Sequence, residues 1–352
     1  MTTATPRVGW LPAGPRDAIT DVAGVTVGHD TIADGALQTG VTVVRPHAGD
    51  VYRDKVPAAA TVINGFGKSC GLIQVEELGV METPIALTNT FGVPAVADAQ
   101  IRAAVEANPE IGRAWPTVNA LVLECNDGYL NDIQAMAVTR AHYDRALAAA
   151  DVVVPEGAVG AGRGMSAFGF KGGIGTASRC VALAGVPAVV GALVLSNFGR
   201  PHQLTVAGHP VGRHLAHDAE AARAPEKGSI ILLLATDAAL DARQLRRLSL
   251  RAGAGLARTG SVFGHGSGDI ALAFSTAYTV PHDAKTPMPA VTCVHETLLD
   301  PLFEAAAEAC EQAIVNALWR AETVMGRDGN LRAAITDTIT DWPTWRAAHA
   351  AP

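Results

Sequence analysis

The chain has 352 residues, 49% of them hydrophobic and 17% charged, which is enough apolar material for a large buried core. A formal net charge of −7, with no basic run interleaved with aromatics, excludes a general nucleic-acid binder, which needs a basic surface to neutralise phosphates. The N-terminus lacks a basic segment leading into an apolar one, and the longest apolar stretches are short and broken by Gly or Pro. Neither a secretory signal nor a membrane span is therefore expected, and the expectation is a cytoplasmic protein.

Apolar runs of strand length and β-branched content occur at Gly40–Val44, Ala58–Ile63, Val118–Leu123 and Ala188–Leu195. Between them, Pro94–Glu106 and Asp132–Ala150 carry apolar residues at three- and four-residue spacing, which predicts helices; Asn131 and Asp132 are placed to cap the second. His217–Lys227 is polar and without strand periodicity, an exposed connection. A strand buried on both faces then starts abruptly, over Gly228–Asp237. Asp241–Arg258 has Leu245, Leu248, Ala252 and Leu256 on one helical face; Gly266–Ser275 is a further strand, and Pro301–Met325 a long amphipathic helix. Strands alternating with long helices predict a layered α+β fold.

Most chemistry-bearing motifs are missing: there is no GxSxG elbow, no HExxH, no Walker loop and no GxGxxG. The five cysteines are widely spaced and form no CxxC pair, so they are expected as buried, reduced thiols rather than a disulfide framework or zinc site. His202, His209, His214 and His217 form one loose cluster, expected as solvated surface. No metal and no cofactor are called for. The glycine-rich passage Gly157–Gly175 could cradle a phosphate with help from Lys171, or could let backbones approach closely; without a Walker ending the second is favoured. Gly228-Ser229 is commonplace before a strand, yet it also fits a chain that breaks itself there. In that case the Ser229 hydroxyl attacks the Gly228 carbonyl and frees an α-amine beside its own Oγ. The residues alone leave both possibilities open.

Several passages carry a resemblance. They are Ile63-Asn64-Gly65-Phe66-Gly67-Lys68, Glu82 to Thr90 (ETPIALTNT), Glu124 to Asp132 (ECNDGYLND), Gly162 to Met165 with Phe170 to Arg179, Asn197-Phe198-Gly199-Arg200, Gly228 to Ile231, and Gly266-Ser267-Gly268-Asp269. In this order they resemble the DmpA-like family of L-aminopeptidase/D-esterases and β-peptidyl aminopeptidases, distant relatives of ornithine acetyltransferase. The likeness covers nearly the whole chain.

The resemblance implies a single αββα four-layer sandwich, cut between Gly228 and Ser229 into chains of residues 1–228 and 229–352. Ser229 would be the nucleophile, its new α-amine the general base, and the Asn197 amide a donor to the oxyanion. Asn197 is placed in a loop after its strand. Ser267 and Asp269, two apart and so on one face, would tune the nucleophile. Glu124 would hold the substrate's ammonium, and Asn126 stands where some members have a tyrosine that polarises the scissile carbonyl. Substrates would be short peptides, amino-acid amides or esters, with β- or D-residues included, and the assembly a homo-oligomer, a tetramer of processed heterodimers. An acyltransferase like ornithine acetyltransferase is the alternative, disfavoured because that family usually uses threonine. A non-catalytic binding homologue is the second alternative.

Overall fold

Apolar side chains on opposite faces of the strands set the layering. The structure is a computed structural model that describes residues 4–215, 228–283, 288 and 290–349. One sheet is four-stranded and holds Thr26–Asp34 (β1), Leu37–Arg45 (β2), Ile85–Asn89 and Val122–Cys125 in that order. The other is seven-stranded and is built around Asp54–Gly65 (β3), Gly173–Leu183, Val186–Asn197, Ser229–Thr236 and Gly268–Ser275. In chain order the remaining strands are β4 (Ile85–Asn89), β5 (Val122–Cys125), β6 (Gly173–Leu183), β7 (Val186–Asn197), β8 (Ser229–Thr236) and β9 (Gly268–Ser275). The main helices are α1 (Val93–Ala107), α2 (Arg140–Ala148), α3 (Ala242–Arg258) and α4 (Asp300–Trp319).

Strand β8 shows how the layers form. Its Ile231, Leu233 and Ala235 enter one core with Val44, Leu87 and Leu123 of the smaller sheet. Its Ile230, Leu232 and Leu234 enter another with Leu245 and Leu248 of α3 and Ala309 and Ala313 of α4. A third core joins Val41, Ala86 and Val122 of the smaller sheet to Val96 and Ala99 of α1 and Tyr143 of α2. Three cores separate four layers, in the order helix, sheet, sheet, helix. Each fully buried Leu or Ile contributes about 1.5–3 kcal/mol, so β8 is anchored from both sides.

Connectivity brings particular strand ends together. β8 runs parallel to β9, joined to it through α3, and antiparallel to β7. Ser229 therefore lies opposite Asn197 on one side and Gly268 on the other, and Gly268 lies opposite Gly65 of β3. In the smaller sheet β4 and β5 are parallel and connected through α1.

The expected strands are all present: three extend beyond the expected bounds, those at Ser229–Thr236 and Gly268–Ser275 are shorter, and Val118–Leu123 contributes only Val122 and Leu123 to β5. The Asp132–Ala150 helix is shortened to α2, which starts after Thr139. Asn131 cannot cap it: its side chain accepts from the Gln38 N–H at 3.0 Å and donates to Asp127 at 3.0 Å. The Pro301–Met325 helix ends at Trp319, because Val324–Met325 pairs with Leu331–Arg332. The His217–Lys227 connection lies outside the described residues, as does His217 of the histidine cluster. His209 and His214 stack edge-on against Trp342 and Trp345. Cys125 and Cys310 are buried and the other three cysteines half-buried, all as free thiols. Among the described residues no helix is long and apolar enough to cross a membrane.

The glycine-rich passage serves close packing. Gly157 and Ile174 exchange hydrogen bonds of 2.7 and 2.9 Å. The Lys171 ammonium is fully enclosed and donates to the Gly162, Met165 and Gly172 carbonyls at 2.8–2.9 Å, so it supports the loop rather than a ligand. Burial holds its pKa well below the usual lysine value. A Cβ at Gly175 would overlap the Ala313 carbonyl of α4. Gly175→Ala is expected to destabilise the protein by about 1–3 kcal/mol through this overpacking, read as a lowered thermal midpoint.

Candidate active site

The first residue of β8 is almost fully buried, and its hydroxyl touches the peptide bond that precedes it. Ser229 Oγ donates to the Gly228 carbonyl oxygen at 2.7 Å. From the neighbouring strand, the Gly268 N–H donates to Ser229 Oγ at 3.2 Å and to the Gly228 carbonyl at 3.3 Å. Gly228 is pressed against Asn197 and Phe198, with no room for a side chain.

Asn197 is the last residue of β7 rather than a loop residue, because the ladder with β8 continues to Ser229. Its Nδ2 donates to the Asn126 carbonyl at 2.9 Å, and its Oδ1 accepts from the Ser166 N–H at 2.8 Å. These two backbone partners fix the orientation of the amide, nitrogen on one side and oxygen on the other. Asn126 itself is exposed, and its side-chain oxygen accepts from the Gly128 N–H at 2.9 Å, closing a turn. The Asn126 backbone thus positions Asn197, while its side chain is engaged locally. The Tyr129 ring is covered by the Arg332 guanidinium at 3.6 Å, and Tyr129 is not in the lining of the cavity at Ser229.

Ser267 and Asp269 do share a face: Ser267 Oγ donates to Asp269 Oδ1 at 2.5 Å, both wholly buried. Ser267 lies just before β9 and Asp269 is its second residue, so they flank the Gly268 that contacts Ser229. The Asn64 amide of β3 clamps this corner, donating to the Gly264, His265 and Ser267 carbonyls.

Glu124 is 3% exposed, and both of its oxygens have donors. Oε1 accepts from the Lys68 N–H at 2.7 Å and Oε2 from the Thr90 hydroxyl. It lines a cavity of about 460 Å³ together with Phe66, Lys68, Asn126, Arg200, Ser229 and His265. Of the residues singled out from sequence, Ser229, Glu124, Asn126 and Gly228 line this cavity, while Asn197, Ser267 and Asp269 stand behind Ser229. The donors to Glu124 and the Gly268 N–H had no sequence signal of their own; Lys68, Thr90 and Gly268 lie within quoted passages, but their contacts cross strands.

The model of Peptidase family S58 matches residues 17–332. The chain is 41% identical to the β-peptidyl aminopeptidase BapA of Sphingosinicella microcystinivorans over 90% of this chain and 84% of that protein. The chain belongs to peptidase family S58. Among solved structures, the PH0078 protein of Pyrococcus horikoshii OT3 is 46% identical, with a TM-score of 0.92 over 98% of each chain. The L-aminopeptidase D-Ala-esterase/amidase of Ochrobactrum anthropi is 35% identical, with a TM-score of 0.88 over 99% of this chain and 98% of that one, and is described as a variant of the Ntn hydrolase fold. The four-layer α+β fold is thus that of the family, and this chain is a member of a peptidase family whose relatives include aminopeptidases; neither the acyltransferase nor the non-catalytic alternative is favoured.

Next to Asn126 in the chain, Asp127 is wholly buried. Burial pushes Asp127 up from its ordinary 3.8 to about 6, against hydrogen bonds from Thr39, Asn131 and Asn89 that pull it down. Between those two values the folded chain holds a proton that the unfolded chain has lost. Its contribution to stability therefore falls by about 3 kcal/mol as pH rises through that window, and is flat above it. Asp127→Asn has no such proton to lose. The stability of wild type minus variant, measured in urea from pH 4 to 7, is expected to decline with pH and then level off.

Proposed function

We propose that this S58 member cuts itself between Gly228 and Ser229, and then uses Ser229 as an N-terminal nucleophile to release N-terminal residues from short peptides, amides or esters. The observation that carries this reading is the Ser229 hydroxyl held 2.7 Å from the Gly228 carbonyl oxygen, at the start of a strand that is buried on both faces. In the first reaction Oγ attacks the Gly228 carbonyl carbon while the Gly268 N–H polarises its oxygen. The C–N bond breaks, the proton from Oγ passes to the departing nitrogen, and water then hydrolyses the resulting ester. The products are chains 1–228 and 229–352, which remain interleaved because β8 and β9 of the smaller lie between β3 and β7 of the larger.

The freed α-amine of Ser229 has an unperturbed pKa of about 8, suited to act as general base near neutral pH. It takes the Oγ proton as Oγ adds to a substrate carbonyl and returns it to the leaving amine; water then opens the acyl-enzyme. Asn197 is the side-chain donor to the developing oxyanion, through the amide hydrogen not spent on Asn126, and such a donor contributes about 3–4 kcal/mol to the transition state. The Gly268 N–H, rather than a side chain at 126, is the second donor. The hydrogen-bonded Ser267–Asp269 pair positions that backbone and sets the field at Ser229. Glu124, already fixed by Lys68 and Thr90, receives the substrate's ammonium and makes the activity exopeptidic. The β-peptidyl aminopeptidase relative supports β-residues among the substrates.

Ser229→Ala is expected to leave one uncut chain on a denaturing gel, where the wild type gives two; a variant that still splits removes Ser229 from the nucleophile's role. Glu124→Gln is expected to raise KM for aminoacyl-p-nitroanilides by about tenfold or more, since an ion pair becomes a neutral contact. An unchanged KM would place the ammonium elsewhere.

A further inference from the structure

Resting on the aminopeptidase reading above, we propose that the cavity selects short peptides whose leaving residue ends in a free carboxylate, and that the Arg200 guanidinium receives that carboxylate. Arg200 lies three residues beyond Asn197 and lines the same cavity as Ser229 and Glu124. Its backbone is held in place. Gly199 has φ +86°, and any Cβ there would overlap the Phe168 ring. Phe168 packs edge-on against Phe198 with ring centres 4.9 Å apart, and its N–H donates to the Phe198 carbonyl at 2.8 Å. On the other side the Arg200 N–H donates to Gln203 Oε1 at 3.1 Å.

Among the described residues the side chain is a placed cation without a placed anion. Arg200 enters no ion pair among the described residues. Its Nε is sealed from solvent and donates to no described group. By contrast, the buried Arg179 meets Asp17 and Glu308, and Arg163 meets Glu322. A planar carboxylate entering the cavity can accept two parallel N–H bonds from a guanidinium that lines it.

The rest of the cavity has the polarity of a zwitterion. Among the described residues Glu124 is its single acid, while Lys68, whose ammonium lies 4.3 Å over the Phe66 ring, adds to Arg200 on the cationic side. With Ser229 in the same lining, a dipeptide can place its ammonium at Glu124, its scissile carbonyl at the nucleophile and its terminal carboxylate at Arg200. A volume of about 460 Å³ suits a ligand of that size. A longer peptide presents a neutral amide where the dipeptide presents its carboxylate.

The test uses the self-cleaved wild-type enzyme, Arg200→Gln and Arg200→Lys, each checked for cleavage on a gel. The substrates are an unblocked dipeptide, its C-terminal carboxamide, and a carboxamide whose leaving residue is glutamate. For the wild type, kcat/KM for the free acid should exceed that for the carboxamide by about tenfold or more, with the difference in KM. Arg200→Gln should bring that ratio to about one, and Arg200→Lys should retain part of it. Equal kcat/KM for acid and carboxamide in the wild type overturns the proposal without need of a variant, and so does a ratio that survives Arg200→Gln. Preference for the glutamate carboxamide over the plain one, without an acid preference, would assign Arg200 to side chains and overturn it as stated. An aminoacyl-p-nitroanilide, which has no carboxylate, reports the nucleophile separately. If the cleaved wild type leaves it and all the peptides intact, the aminopeptidase reading fails as well.

Discussion

The arrangement depends on one strand being inserted between two others with its first residue at the seam. β8 pairs with β7 and β9 at once, and its side chains fill two cores. Such a strand cannot shift by one residue without moving Ile231 and Leu233 from one core into the other. Ser229 therefore has no freedom relative to Asn197 or Gly268. The peptide bond before it is held against its own hydroxyl by the same pairing that builds the sheet. Under the proposed cleavage, cohesion would lie in the strand and not in the connection leading to it, so the two pieces would keep their arrangement.

The polar groups behind Ser229 are organised so that each has one role. Asn197 has one atom fixed by Ser166 and another by Asn126, so its amide cannot rotate to exchange donor and acceptor. Ser267 and Asp269 are hydrogen-bonded to each other on either side of the glycine whose N–H faces the Ser229 hydroxyl. Both oxygens of Glu124 are spoken for before any substrate arrives, which fixes the carboxylate's direction rather than its charge. Prepositioning of this kind stabilises a transition state because little has to reorganise when charge develops.

Much of this was legible in the chain. The run Ile230 to Leu234 could only be a strand buried on both faces, and the serine at its start is the residue that the family resemblance marks as nucleophile. The helical spacing in Asp241–Arg258 gave α3 almost to the residue, with Asp241 as its cap. What could not be read were contacts that depend on folding. Thr90 reaches Glu124 across 34 residues, Lys68 does so across 56, and Asn197 meets Asn126 across 71. Helical periodicity also misled in Asp132–Ala150, where the side chain of Asn131 is drawn into a tertiary bond with Gln38 that no local pattern announces. The position of Asn197 at a strand end, rather than in a loop, follows from the partner strand, which sequence spacing does not specify.

N-terminal sequencing of the freshly purified protein tests the central claim most directly. The account predicts a second chain that begins at Ser229 and reads SIILLLATD. A single polypeptide of 36.3 kDa that persists on storage, or a new terminus at any other residue, would contradict it.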